Sequence, residues 1–197
     1  SKGLMYDGKL EHSKYNFFTA TGRPSNAYGG INFAAFSRKD GSRELIRSRY
    51  EDGLLIEVDF ESYHPRLIAE LIGYKFPTDR SVYTYLAEQY YNTDTPTDEQ
   101  IKSAKTKTFY KLYSADDDTS IPYFKGIVDY VSDMWSKFDS DGYILAPISG
   151  RPLYKENYPQ IITKQTLFNY MMQLTETERN TEVLTKFSML DRVVLYT

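Results

Sequence analysis

The sequence predicts an α+β fold in which helices are inserted between strands. Three observations predict this fold. Residues 54–60 form an apolar run of the buried-strand type, LLIEVDF; helical segments recur across residues 65–182; and residues 142–154 indicate two short strands joined by a glycine-containing turn. Since no repeat or linker divides the 197 residues, we expect one unit with a sizeable core.

The first third of the chain is predicted to be poor in regular structure. Residues 1–30 are rich in Gly, Ser, Asn and Tyr, which indicates extended or loop backbone. Residues 43–50 predict a short strand, and the run at 54–60 predicts a buried one. A helix then begins at Pro65, because proline is tolerated in a first turn, and it ends at Gly73.

The strongest helix signal is at residues 95–113, which read TPTDEQIKSAKTKTFYKLY. Thr95 is predicted to cap this helix, Pro96 fits the first turn, and the acidic residues that follow favour the positive end of the helix. The remaining predicted elements are helices at 79–91, 122–139 and 159–182 and a final strand at 192–197.

Composition narrows the function classes. A formal net charge of −3 argues against a uniformly basic nucleic-acid binder, although basic residues cluster at 38–49 and 102–111. The chain has no cysteine, which excludes disulfides and thiolate metal sites. The 19 tyrosines suit stacking on bases as well as a core. Without a signal peptide or an apolar run of about eighteen residues, we expect a cytoplasmic protein with no membrane contact.

One face of the 95–113 helix combines cations with aromatic rings. At about 100° per residue, Lys102, Lys105, Phe109 and Tyr113 fall within an arc of roughly 80°. An anionic planar ligand such as a nucleotide would meet the lysines with its phosphates and the rings with its sugar or base. The alternative is that the rings belong to the core while the lysines extend along the surface.

Asp59 ends the apolar run at 54–60, where a carboxylate is costly unless it binds a metal or a paired cation. Together with a phosphate-binding helix, this residue indicates a Mg²⁺-dependent phosphoryl or nucleotidyl transferase. The acidic triplet at 116–118 is a rival metal site, but consecutive acids in a loop point in different directions and are usually solvated.

Five segments in order resemble the palm and fingers of family A DNA polymerases, the bacterial polymerase I class, and especially its phage-type members. These segments are TGRPS, LLIEVDFESYHPR, IKSAKTKTFYKLYS, GYILAPISGRPLY and NYMMQ. The resemblance implies an incomplete right-hand architecture, with an antiparallel palm sheet and an inserted helical fingers subdomain. Residues 1–72 would form the N-terminal palm with motif A, residues 73–140 the fingers with motif B, and residues 141–197 the return to the palm.

The resemblance makes Asp59 and Lys105 the catalytic residues. Asp59 would bind both catalytic Mg²⁺ ions, and Phe60 would supply a backbone carbonyl to them. In motif B, Lys105 would bind the triphosphate, Phe109 would pack under the incoming sugar, and Tyr113 would flank the position of the template base.

Further residues carry binding roles in the same family. Lys102 supplies one of the basic residues with which motif B opens. Arg23 resembles the arginine that reaches the minor groove at the primer terminus, and Asn169 and Gln173 resemble a polar pair that contacts template and primer. His64 stands where the family has a glutamate that excludes ribose; a histidine blocks a 2′-hydroxyl by bulk but lacks the hydrogen bond of the carboxylate.

The second catalytic carboxylate of the family lies in motif C, after an apolar strand that the run RVVLYT at 192–197 resembles. We therefore expect this chain to supply one of two metal-binding carboxylates and to act as a fragment, inactive alone, that a complementary chain carrying motif C completes. The other expected partners are primer–template DNA and dNTPs, and a viral protein would act in the host cytoplasm.

Two alternatives to a DNA polymerase fragment that is active in a complex stay open. One is a non-catalytic polymerase fragment that binds primer–template DNA. The other is a relative of the single-subunit RNA polymerases, which share motif A and the lysine helix. Phe109 favours DNA synthesis, since the RNA-making branch more often has a tyrosine hydroxyl near the ribose, whereas His64 is compatible with either sugar.

Overall fold

The structure is a computed structural model that falls into two compact units, one of residues 1–59 with 181–197 and one of residues 60–180, so the prediction of one unit is wrong. It describes residues 5–6, 9–10, 13–32, 35–37, 39–45, 52–54, 59–113, 120–161 and 163–187. The predicted division into palm and fingers segments is not tested by these units and stays a prediction.

The described part of the first unit contains two short antiparallel ladders. Strand β1 (Met5–Tyr6) pairs with β2 (Lys9–Leu10), and β3 (Tyr15–Asn16) pairs with β4 (Ser25–Asn26). In the loop between β3 and β4, Gly22 has a positive φ of 70° and its N–H donates to the carbonyl of Thr19 at 3.0 Å. This agrees with the extended and turn structure expected for residues 1–30.

The strand predicted at 43–50 is wrong where the structure describes it, because Ser42–Leu45 forms a 3₁₀ helix. The turn before it decides this outcome. Asp40 accepts a hydrogen bond from the N–H of Ser42 at 2.9 Å, and Gly41 has a φ of 73°. These local bonds outweigh the β-propensity of the residues. The same Ser42 hydroxyl and N–H lower the pKa of the Asp40 carboxyl.

Two other predicted strands lie mostly or wholly outside the described residues. The residues outside the described ranges are positions 55–58 of the apolar run at 54–60 and the whole run at 192–197. Leu54, Asp59 and Phe60 are described and lie outside regular secondary structure. The strand that would present Asp59 therefore stays a prediction.

Apart from a short 3₁₀ helix at Lys155–Asn157, five α-helices and one hairpin make up the described regular structure of the rest of the chain. They are α1 (Tyr63–Ile72), α2 (Val82–Tyr91), α3 (Asp98–Tyr113), α4 (Pro122–Asp141), β5 (Tyr143–Leu145), β6 (Pro152–Tyr154) and α5 (Lys164–Phe187). The last seven residues of α5 belong to the first unit. These elements confirm the predicted helices and the predicted hairpin, with bounds shifted by a few residues at some ends.

The helix ends follow local capping chemistry. Helix α1 ends at Gly73, whose φ of 68° lets its N–H turn back to the last helical carbonyls. Helix α3 is capped by Thr97 rather than by the predicted Thr95. The N–H of Gln100 donates to the Thr97 hydroxyl at 3.3 Å, and the Gln100 side chain accepts from the N–H of Thr97 at 2.8 Å. Only Thr97 has the spacing for this reciprocal capping box.

The β5–β6 hairpin is antiparallel, with Tyr143 opposite Tyr154 and Leu145 opposite Pro152. Its connection closes through a 2.8 Å bond from the Ala146 N–H to the Arg151 carbonyl. Across the described residues, the sheets are all small and antiparallel. None of the helices in those ranges combines the length and apolar character that a membrane crossing requires.

The core of the second unit lies between α1, α2, α3, α4, α5 and the hairpin. Its largest fully buried side chains are Tyr123, Phe138, Phe168, Ile68, Leu86, Leu153, Leu167, Met171, Met172 and Val82. Tyr123 packs against Phe76 at a ring-centroid distance of 4.8 Å and against Tyr74 at 5.3 Å. Its buried hydroxyl donates to the carbonyl of Pro65 at 3.0 Å. This bond ties α4 to the first turn of α1, where His64 lies.

We expect Tyr123→Phe to lower the free energy of unfolding by about 1 kcal/mol, because it removes one buried hydrogen bond and keeps the ring packing. Urea denaturation followed by circular dichroism measures the change. Tyr130→Phe on the same helix is the matched control, since burial alone raises the pKa of Tyr130. Equal losses in the two variants would contradict the role of the Pro65 contact.

Candidate functional site

Helix α3 presents one buried face and, beside it, an exposed face with a cation and an aromatic ring. Ala104, Thr108 and Leu112 are buried and anchor the helix in the unit. On the neighbouring face, Lys105 is exposed and Phe109 is 38% exposed. Phe109 is therefore not a core ring, which removes the alternative in which both aromatic residues of this face are core.

Tyr83 of α2 completes this exposed face. The Nζ of Lys105 lies 5.6 Å from the centre of the Tyr83 ring, within the range of a cation–π contact. The rings of Tyr83 and Phe109 are 6.5 Å apart at an angle of 36°. Burial raises the pKa of the Tyr83 phenol, so the hydroxyl stays neutral. Lys105, Tyr83 and Phe109 together form what we call the lysine–aromatic face.

Arg80 lies just before α2, three residues ahead of Tyr83. The Arg80 guanidinium is engaged elsewhere. Its Nη1 donates to both carboxylate oxygens of Glu88 at 2.9 and 2.8 Å, and its Nη2 donates to Asp79 at 2.8 Å. Both carboxylates raise the pKa of Arg80. The structure therefore brings Tyr83, and not Arg80, to Lys105.

His64 lies at the centre of a second cluster that links three helices. Its Nδ1 is hydrogen-bonded to the hydroxyl of Tyr113, the last residue of α3, and their rings meet edge to face at 5.9 Å. Its Nε2 lies 3.2 Å from Oε2 of Glu176 on α5. The Tyr113 ring in turn packs 6.3 Å from Phe168 of α5. Two predicted site residues, His64 and Tyr113, thus meet directly.

The chain enters this cluster through a left-handed residue. Ser62 has φ 53° and ψ 44°, a conformation that costs a non-glycine residue about 1 kcal/mol or more and persists where the surroundings hold it. Just before it, Phe60 stacks on Tyr63 at 4.9 Å and 22°. The reversal of direction at Ser62 therefore sets how α1 starts and where His64 is placed.

The other predicted site residues lie on α5, on α3 and in the first unit. Asn169 and Gln173 are half-buried on α5, Lys102 is exposed near the start of α3, and Arg23 is exposed in the β3–β4 loop of the first unit. The Thr19 hydroxyl donates to the Arg23 carbonyl at 2.8 Å, which holds the backbone of this loop.

Glu176 is a site residue that the motifs did not indicate. At 100° per residue it falls within an arc of about 60° with Asn169 and Gln173, so all three share one face of α5. Applying the same 100° spacing beyond Asn169 and Gln173 would have indicated Glu176. Its approach to His64, however, depends on how α5 packs against α1.

The described residues supply only part of the metal site that the sequence predicts. Asp59 is exposed, and its carboxylate and the Phe60 carbonyl are oxygen donors of the kind that Mg²⁺ prefers. Within the described ranges, no three His, Asp or Glu side chains converge in a way that could hold a metal ion. The donor chemistry of Asp59 and Phe60 suits Mg²⁺, and their metal-binding role stays a prediction.

Comparison with known proteins bears on the fold. No protein-family model and no curated protein matches the sequence. Among solved structures, the POL domain of Pol1 from M. smegmatis in complex with DNA primer-template and dNTP matches with a TM-score of 0.65 and 17% identity. The chain has a polymerase-like fold. The match covers 89% of this chain and 36% of that one, so the chain spans about a third of the neighbour's length.

Proposed function

We propose that the chain is the palm and fingers part of a template-directed DNA polymerase of family A, which transfers dNTP nucleotides to a primer 3′-hydroxyl. The observation that carries the proposal is the lysine–aromatic face, one helical turn before Tyr113, which is in direct contact with His64. A fold similar to a DNA polymerase domain supports it. The phage-type affiliation rests on the five sequence segments.

The arrangement suits a bound nucleoside triphosphate. Lys105 is exposed at one end of the face and would bind the triphosphate through charge-assisted hydrogen bonds. One turn further, the exposed ring of Phe109 would pack under the sugar. Tyr113, held by His64, would flank the template base, and Lys102 would add positive charge at the phosphate end. The lysines and the aromatic rings would thus follow one another along α3 in the same order as the triphosphate, sugar and base of a nucleotide.

In the proposed enzyme, Asp59 and the Phe60 carbonyl would hold Mg²⁺. Bound Mg²⁺ supplies activation of the primer 3′-hydroxyl and neutralises the leaving pyrophosphate. Two-metal catalysis needs a second carboxylate, which polymerases of family A carry in motif C. In the proposal, Arg23 binds the primer terminus, and Asn169 and Gln173 contact template and primer.

Primer extension by the chain mixed with a C-terminal palm segment carrying motif C tests this function. We expect extension of a labelled primer that requires template, dNTPs and Mg²⁺, and little extension by either polypeptide alone. Mixtures without template serve as the control. Failure to extend with both polypeptides present and folded would count heavily against the proposal, and preferential use of rNTPs would favour the RNA polymerase alternative.

A further inference from the structure

Both ring nitrogens of His64 are hydrogen-bonded, and the partners lie on two different helices. Nδ1 contacts the hydroxyl of Tyr113 on α3, and Nε2 is 3.2 Å from the carboxylate of Glu176 on α5. The side chains of His64 and Glu176 are only 18% and 14% exposed, so water competes weakly for these contacts. An imidazole held at both nitrogens loses both bonds when its ring turns over.

The chemistry of the partners sets the direction of these hydrogen bonds. An ionised carboxylate can only accept, so Nε2 of His64 carries the hydrogen that faces Glu176. In the neutral imidazole, Nδ1 is then an acceptor, and the Tyr113 hydroxyl donates to it. In the imidazolium, Nε2 still donates to Glu176. The role of the carboxylate is therefore the same in both charge states.

We propose that Glu176 is a positioning residue that holds His64 as the Nε2–H tautomer and fixes the orientation of its ring. The arrangement is that of a carboxylate that orients a histidine whose other nitrogen performs a separate task. Here that task is the contact with Tyr113, which lies one helical turn beyond Phe109 of the lysine–aromatic face. Glu176 thus acts on the face through His64.

The consequence for specificity rests on the proposed function. At the position of His64, the sugar of an incoming nucleotide would be tested for a 2′-hydroxyl by bulk alone. Steric exclusion requires a ring that does not yield, and a ring bound at both nitrogens meets this requirement. Glu176 would therefore strengthen the preference for dNTPs over rNTPs without touching the nucleotide.

The position of Glu176 supports a specific role. It shares a face of α5 with Asn169 and Gln173, the pair assigned to template and primer. An anionic side chain on such a face repels phosphates, so it is unfavourable there unless it has another partner. The contact with His64 supplies that partner inside the unit.

The tautomer is measured by ¹⁵N NMR of the imidazole in the 197-residue chain. The chain has two histidines, so a His12→Asn background leaves His64 as the single imidazole. A pH series locates the titration of the imidazole. Spectra recorded at higher pH, where the ring is neutral, are expected to show a protonated Nε2 and an unprotonated Nδ1. Glu176→Gln keeps the shape of the side chain but can donate or accept, and we expect it to produce a mixture of tautomers.

Glu178→Gln is the matched control on the same helix. Its carboxylate accepts from the N–H and hydroxyl of Ser149, the N–H at 3.3 Å, and we expect the variant to leave the His64 spectrum unchanged. Tyr113→Phe adds a second variant, in which Glu176 still accepts and the Nε2–H tautomer is retained. An unchanged tautomer in Glu176→Gln, or a switch to Nδ1–H in Tyr113→Phe, would overturn the proposal.

Nucleotide titrations of the chain bound to primer–template DNA test the effect on specificity. We expect the ratio of rNTP to dNTP dissociation constants to fall about three- to tenfold in Glu176→Gln, the effect of one hydrogen bond. An unchanged ratio in a variant with mixed tautomers would overturn the role in sugar selection. Failure of the parent chain to bind any dNTP would instead contradict the proposed function, because the tautomer is read without nucleotide.

Discussion

Asp59→Ala is expected to lower primer extension, in the mixture with the segment that carries motif C, about a thousandfold or more. The reason is that a metal ligand contributes several kcal/mol to stabilising charge in the transition state. Binding of primer–template DNA should stay nearly unchanged, since it depends on cations and polar groups elsewhere. Extension assays and fluorescence anisotropy with labelled DNA measure the two quantities. Loss of extension with retained binding distinguishes a polymerase from a non-catalytic DNA-binding fragment.

The control for this variant is Asp129→Ala, which removes an exposed carboxylate from α4. We expect it to leave both extension and binding unchanged. Extension that survives in Asp59→Ala would contradict the metal-binding role of this residue. A parallel loss of DNA binding would show instead that the substitution disturbs the folding of the surrounding chain.

Lys105→Ala is expected to weaken dNTP binding to the DNA-bound chain about ten- to a hundredfold, the effect of losing charge-assisted hydrogen bonds to phosphate. Lys105 stacks over Tyr83 at 5.6 Å, so its ammonium group starts close to the place where the triphosphate would lie. Equilibrium titration with a fluorescent dNTP measures the affinity. The difference between parent and variant should shrink as salt rises, because mobile ions screen exposed charges.

Lys107→Ala is the matched control, since it removes the same charge from the same helix about 160° away. Lys107 lies over the ring of Tyr91 at 4.4 Å, on the side of α3 away from Phe109. We expect its dNTP affinity to equal that of the parent chain. Equal losses in the two lysine variants would show a general electrostatic effect and would contradict a specific triphosphate site at Lys105.

The helices were predictable because their signals are local. Proline in a first turn, a glycine in the left-handed region and acidic residues at the positive helix end each act within a few residues. The error at Ser42–Leu45 and the exchange of Thr95 for Thr97 arise in the same way, from turn and capping bonds that compete over two or three residues. Such bonds determine where a helix or strand begins and ends more than whether it forms.

The candidate site was predictable where one helix carries it. The spacing of Lys105 and Phe109 places them on one face of α3, and the burial of Ala104, Thr108 and Leu112 beside them agrees with that placement. Their roles toward a nucleotide stay predictions. Tyr83 comes from another helix, so spacing within α3 could not identify it as the third member of the face.

By itself, the sequence determined the helices, the hairpin, the mixed lysine and aromatic face of α3 and the likeness to polymerase motifs. Only the tertiary structure decided that His64 meets Tyr113 and Glu176, which lie 49 and 112 residues further along the chain. The physical reason is that helical periodicity follows from local backbone geometry, whereas contacts between helices depend on how the core packs α1, α3 and α5 together. No local pattern encodes that packing, and it is the packing that places a carboxylate behind the histidine.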